Sequence, residues 1–116
     1  MATTCFVLSR DLMFASQVTG GIQANGLTAK NVANASQIPT DQPCIVILDL
    51  TIPGLDIATV VAELREIAGI RVVAVGPHVH EGKLQAATDA GCDRVISKGQ
   101  ASRDLAGILQ SLQSGE

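Results

Sequence analysis

The sequence predicts one α/β domain over residues 1–116, built on a five-stranded parallel sheet with helices on both faces. Two observations predict it. Apolar runs of strand length recur along the chain, and the strongest of them, Cys44–Leu48 and Ile70–Val75, are continuous rather than alternating. Strands that read this way are covered on both sides, which requires crossover helices and therefore parallel pairing. The segments between the runs carry helical periodicity. With 116 residues, the chain has room for one core of ordinary size and no second module.

The elements follow in order. Cys5–Leu8 is the first strand, and Asp11 to Ala24 the first helix, interrupted by Gly20-Gly21. That pair costs a helix about 2 kcal/mol relative to two alanines, so it implies either a close approach by another backbone or a fraying end. Leu27–Val32 is a weaker strand. Asn34–Pro43 is polar and holds two prolines, so the second helix is expected to be short or irregular. After the Cys44–Leu48 strand, Asp56 is a suitable N-cap for a helix whose stripe is Ile57, Val60, Val61, Leu64 and Ile67, stopping at Gly69. Strand four is Ile70–Val75. Leu84, Ala87 and Ala90 form a narrower stripe ending at Gly91, Arg94–Ile96 is strand five, and Leu105, Ile108, Leu109 and Leu112 mark a terminal amphipathic helix.

Composition excludes several functions. Hydrophobic residues make up 47% of the chain, enough apolar surface to order it, yet no run approaches the ~20 apolar residues of a membrane span. The formal net charge is −3 and the aromatics are Phe6 and Phe14, so neither a phosphate-binding basic face nor a base-stacking platform is present. Neither nucleic acid nor membrane is expected as a partner. The cysteines, Cys5, Cys44 and Cys92, are odd in number and widely spaced, which fits small buried hydrophobes in a reducing compartment better than disulfides or a zinc cluster. Ser9-Arg10-Asp11 interrupts the apolar stretch that a secretory signal would need, so the chain is expected in the cytoplasm.

In an open parallel sheet, ligands and chemistry collect at the carboxyl ends of the strands. There the chain offers Ser9-Arg10-Asp11, the loop Asp49–Leu55 with Thr51, Gly76–His80, and Ser97-Lys98-Gly99. Asp49 directly follows an apolar strand, where a carboxylate is costly unless paired or used. From pattern alone, Asp49 and Lys98 read equally as an anion-handling pair or as an ion pair stabilising the sheet edge. His78 and His80 have the i, i+2 spacing of an extended metal site but no further ligand beyond Glu81, and read as a solvated loop. Gly20, Gly21 and Gly26 lie at the far end of a helix rather than opening one, so they make no dinucleotide fingerprint. No nucleophile–base arrangement is visible, and an enzyme is not expected.

The run VILDLTIPGLD (Val46–Asp56) resembles the phosphoacceptor strand and loop of response-regulator receiver domains, where an Asp ends strand three and a Pro follows four residues later, as Asp49 and Pro53 do. AATDAGCDRVISKG (Ala86–Gly99) is similar to the family's fourth helix, glycine turn, fifth strand and terminal lysine, with Lys98 seven residues after Gly91. The resemblance spans essentially the whole chain. It implies the flavodoxin-like (βα)5 receiver fold, a phosphoacceptor at Asp49, and partners among signalling proteins: a sensor kinase or a downstream target.

The chain departs from that pattern at most of the family's functional positions. Receivers carry an acidic pair at the end of strand one, which helps the phosphoacceptor hold Mg²⁺; here it reads Ser9-Arg10, with Asp11 one position late and expected to cap the first helix. The switch Thr or Ser falls on Gly76, the switch aromatic on Val95, and the Pro after the lysine on Gly99. One carboxylate facing Arg10 and Lys98 argues against a metal, so no cofactor is expected. Arg10 is placed to take the metal's position and pair with Asp49. Either that pair locks Asp49 in a phosphorylation-independent binding module, the favoured reading, or the guanidinium holds a phosphoryl group in place of Mg²⁺. In both, the domain signals through protein contacts, with homodimerisation expected through the fourth helix, fifth strand and last helix, roughly Gly82–Leu112. A different class is a small-anion or nucleotide sensor using Arg10, Asp49 and Lys98.

Overall fold

Parallel strands in the order β2-β1-β3-β4-β5 form one sheet in the computed structural model, which describes residues 3–113. The strands are β1 (Thr4–Leu8), β2 (Thr28–Val32), β3 (Ile45–Asp49), β4 (Arg71–Gly76) and β5 (Arg94–Ser97). The helices are α1 (Leu12–Ala24), α2 (Ile57–Arg65), α3 (Glu81–Asp89) and α4 (Lys98–Gln113). This is the flavodoxin-like order, and the direction in which strands are added reverses between β1 and β3, the switch point at which such sheets place their sites.

Two apolar layers sandwich the sheet. Val7, Ile47, Val73 and Val75 point toward α1 and α4, where they meet Phe14, Val18, Leu105 and Leu109. Phe6, Leu8, Val46, Leu48 and Val72 point the other way, toward Val61, Leu64 and Ala87 of α2 and α3. This explains why β3 reads as an unbroken apolar run: alternate residues fill different layers, and all five are buried. Each fully buried Leu, Ile or Val contributes about 1.5–3 kcal/mol relative to exposure, so the central strands carry much of the stability.

The helix boundaries follow their caps. The Asp11 carboxylate accepts from the amides of Met13 and Phe14 to start α1, and that of Asp56 accepts from Thr59 to start α2. Beyond α2, Gly69 has φ +76°, a left-handed conformation open to glycine at no steric cost. The crossover between β2 and β3 is the exception. A single 3-10 turn, Ala35–Gln37, stands in place of a helix. The two prolines and the lack of an apolar stripe in this segment account for its irregularity.

The glycine pair of α1 neither frays nor admits another backbone. The helix continues to Ala24, and Gly21 instead accommodates the Leu105 side chain, which a Cβ would meet at 3.3 Å. Asn25 reinforces this contact between α1 and α4 by donating to the Ala106 carbonyl at 2.9 Å. All three cysteines are free thiols; Cys5 and Cys44 are buried, whereas Cys92 is only half-buried, short of the burial expected for it. Burial pushes the Cys5 thiol up to about 12 and that of Cys92 up to about 11, so both stay protonated at neutral pH.

At Gly20 an added Cβ would meet nothing within 4 Å. Gly20→Ala is therefore expected to raise stability by about 1 kcal/mol, and Gly21→Ala by less because of Leu105. Urea denaturation of the two variants measures the difference.

Candidate functional site

The last residue of β3 and the first residue after β1 meet at the switch point. Asp49 ends β3 with only 1% of its surface exposed, the one buried charged side chain among the described residues. Its carboxylate is fully engaged. Oδ2 accepts from the Ser9 hydroxyl at 2.6 Å. Oδ1 accepts from the Thr51 amide at 2.9 Å and from the Thr51 hydroxyl at 2.6 Å. Ser9 Oγ also accepts from the Asp11 amide at 3.0 Å, which ties the loop after β1 to the start of α1. Hydrogen bonds to an ionised carboxylate contribute more than neutral ones, and three of them offset the desolvation of the buried charge.

Arg10 does not pair with Asp49, contrary to the sequence expectation. The carboxylate is already satisfied by short-reach hydroxyls from its own loop and from the neighbouring residue Ser9. Arg10 is exposed and makes no ion pair; the described residues form ion pairs only at Arg65–Asp93 and Arg71–Asp93, at the opposite end of the sheet. Arg10 lines a small cleft over Asp49, together with Asp11, Thr51, Ile52 and Pro53.

Lys98 and Gly76 stand outside that cleft. Lys98 opens α4 directly after β5, and its Nζ lies 5.1 Å from the centre of the Phe14 ring, a cation–π contact with α1 instead of an ion pair with Asp49. At Gly76 an added Cβ would meet Leu50 Cβ and Cδ1, both at 3.3 Å, so a side chain there would require Leu50 to shift by a few tenths of an ångström. Leu50 is fully buried, and its amide donates to the Val75 carbonyl at 2.9 Å, which extends the pairing of β3 with β4 past Asp49. Val95 is half-buried in a shallow cleft with Leu84, Gln85 and Gln100, between α3 and α4. His78 and His80 are exposed.

A divalent cation finds a poor donor set here. Mg²⁺ demands octahedral oxygen ligation, anchored in proteins by one or two carboxylates. Both oxygens of Asp49 are occupied by donors, and Asp11 Oδ1 is committed to the cap of α1. Arg10 adds positive charge at the rim. Among the described residues, no three His, Cys, Asp or Glu side chains come together as a metal site. The residues present do not fit the ion.

This architecture is shared with solved proteins along nearly its whole length. A CheY-like response regulator receiver domain protein from Methanospirillum hungatei matches with a TM-score of 0.81 and 13% identity, covering 99% of this chain and 96% of that one. The fold is that of a receiver domain. A second receiver, from a sensor histidine kinase of Pseudomonas aeruginosa with magnesium coordinated in its active-site cleft, matches with a TM-score of 0.78 at 17% identity, over 96% of this chain and 97% of the other. A signal receiver domain from Bermanella marisrubri matches at 21% identity with a TM-score of 0.76, over 97% and 98%. Among curated proteins, a protein-glutamate methylesterase/protein-glutamine glutaminase of Cereibacter sphaeroides is 35% identical over 75 residues, 63% of this chain; the match spans 20% of that protein's length. No protein-family model matches the chain.

Asp49 and Ser9, both expected from the sequence at the carboxyl ends of their strands, meet there, whereas Arg10 and Lys98 do not reach the carboxylate. The Lys98 contact depends on Phe14, a residue assigned only to the core. The Leu50 contact beneath Gly76 had a sequence signal: a large apolar residue directly after the strand-ending Asp, opposite a glycine.

Removing the Ser9 donor leaves a buried carboxylate oxygen one partner short. Ser9→Ala is expected to lower stability by about 1–3 kcal/mol. Arg10→Ala should change it by less than about 0.5 kcal/mol, as for an exposed residue without partners. Denaturant titration of both variants at neutral pH measures the contrast.

Proposed function

We propose that this chain is a receiver-type module of two-component signalling that acts through protein contacts, without Mg²⁺-dependent phosphorylation of Asp49. The observation that carries the reading is the state of the Asp49 carboxylate. It is buried and accepts three hydrogen bonds from Ser9 and Thr51, at the position where the resemblance implies a metal-assisted phosphoacceptor. Hydrogen bonds to a carboxylate lower its nucleophilicity, and without a bound cation the charge of an incoming phosphoryl group meets Asp49 unscreened. Arg10, exposed on the rim beside Ser9, is uncommitted to that site. Phosphate capture by Arg10, Asp49 and Lys98 together is disfavoured because Lys98 is engaged over Phe14.

The same reading makes the chain a non-enzymatic, cytoplasmic module. No described helix is long and apolar enough to cross a membrane. Its partners are a sensor kinase or a downstream signalling protein. The shallow cleft where Leu84 and Val95 remain partly uncovered between α3 and α4 supports self-association through α3, β5 and α4.

Incubation with acetyl phosphate, with and without Mg²⁺, followed by mass spectrometry, tests the first claim. The expected outcome is no Mg²⁺-dependent phosphoryl adduct at Asp49, with labelling gained when Ser9→Asp and Arg10→Asp are combined. A wild-type chain labelled at Asp49 only in the presence of Mg²⁺ overturns it. Sedimentation at high micromolar concentration tests the interface: a dimer that Val95→Arg dissociates is expected, and monomer throughout overturns it.

A further inference from the structure

The face of the sheet that packs against α2 and α3 is covered unevenly, because the β2–β3 crossover contributes only the 3-10 turn Ala35–Gln37. Between that turn and α2 the sheet retains a cleft of about 330 Å³, at the small end of the about 300–1,000 Å³ typical of small-molecule sites. This cleft adjoins the one over Asp49 and shares Arg10, Ile52 and Pro53 with it. Its floor is apolar: Leu8 and Ile52 are buried, with 1% and 8% of their surface exposed. Leu55 and Val60 add partly buried walls.

The charged groups around this floor are unequal in what they can bind. Arg10 lines the cleft, and its guanidinium has no ion-pair or hydrogen-bond partner among the described residues. An unengaged planar fork of donors beside an apolar surface suits one carboxylate-like head group. The α2 wall carries Asp56 and Glu63, which repel a second negative charge. Asp56 is further committed to the Thr59 amide. The 3-10 turn satisfies its own polar groups through Gln37, whose side-chain carbonyl accepts from the amides of Ala33 and Asn34 at 2.6 and 3.2 Å, so the turn is a settled wall of the cleft.

We propose that this cleft binds a small organic monoanion with an apolar body, its charged head on Arg10 and its body on Leu8, Ile52, Leu55 and Val60. Polyanions such as nucleotides are selected against by Asp56 and Glu63. The proposal goes beyond the signalling reading and stands or falls separately from it, because it involves neither phosphorylation of Asp49 nor the α3–β5–α4 face.

Titration of the full chain with benzoate, followed by backbone amide NMR, tests it, with benzyl alcohol and inorganic phosphate as comparison probes. Saturable benzoate shifts at Ala33–Ser36 and Ile52–Val60 are expected, weakened about tenfold in Arg10→Gln, as loss of a charge-assisted hydrogen bond implies. Benzyl alcohol should be insensitive to that substitution, and phosphate should leave the apolar walls unshifted. The spectrum of the free Arg10→Gln variant verifies that its fold is intact. Absence of saturable shifts, equal benzoate binding by Arg10→Gln, equal binding of inorganic phosphate, or shifts centred on Leu84–Gln100 would each overturn the proposal.

Discussion

A buried carboxylate at the switch point of a parallel sheet is the constraint on which the rest of the site depends. Asp49 sits where β3 emerges between two apolar layers, and desolvating its charge costs several kcal/mol unless donors are supplied. The chain supplies them from within hydrogen-bond reach: one hydroxyl from the residue after β1, and an amide and a hydroxyl from Thr51 in the loop that Asp49 itself begins. Once those bonds form, the two longest cations nearby have no role at the carboxylate. Arg10 extends to the rim and Lys98 folds back over Phe14. Charge counting favours attraction between oppositely charged side chains, but a neutral donor that is already close costs less conformational entropy than ordering a long side chain.

The architecture was legible because its signals are collective. Continuous apolar runs at β3 and β4, the Asp56 cap and the α4 stripe all pointed to the same parallel, doubly covered sheet, and the observed strands differ from the expected ones by a residue or so at their ends. The irregular second crossover was also readable, since Asn34–Pro43 lacks any stripe to bury. Side-chain pairing at the site was less legible. Whether Asp49 takes a guanidinium or a hydroxyl depends on distances of an ångström or two that residue spacing does not encode. The Gly21 contact shows the same limit: the sequence indicated a close approach, and only the packing of α1 on α4 revealed that a leucine side chain makes it.

The two clefts beside Arg10 express a single trade. A short turn in place of one crossover helix leaves part of the sheet under thinner cover, and the apolar floor of the resulting cleft lies next to the cleft over Asp49. Ser9 and Arg10, which stand where the resemblance implies an acidic pair, leave Asp49 without a second carboxylate from that position and place Arg10 at the border between the clefts. The backbone fold nevertheless matches that of a solved receiver with a TM-score of 0.81 at 13% identity.

Leu50 beneath Gly76 has a consequence of its own. On the proposed reading, loading of Asp49 and any readout through Gly76 are separate matters: charge beside Asp49 bears on the first, and Leu50, packed against Gly76 and bonded to Val75, bears on the second. On that reading, carboxylates restored beside Asp49 would supply the loading without the readout, which would need room opened under strand β4 as well.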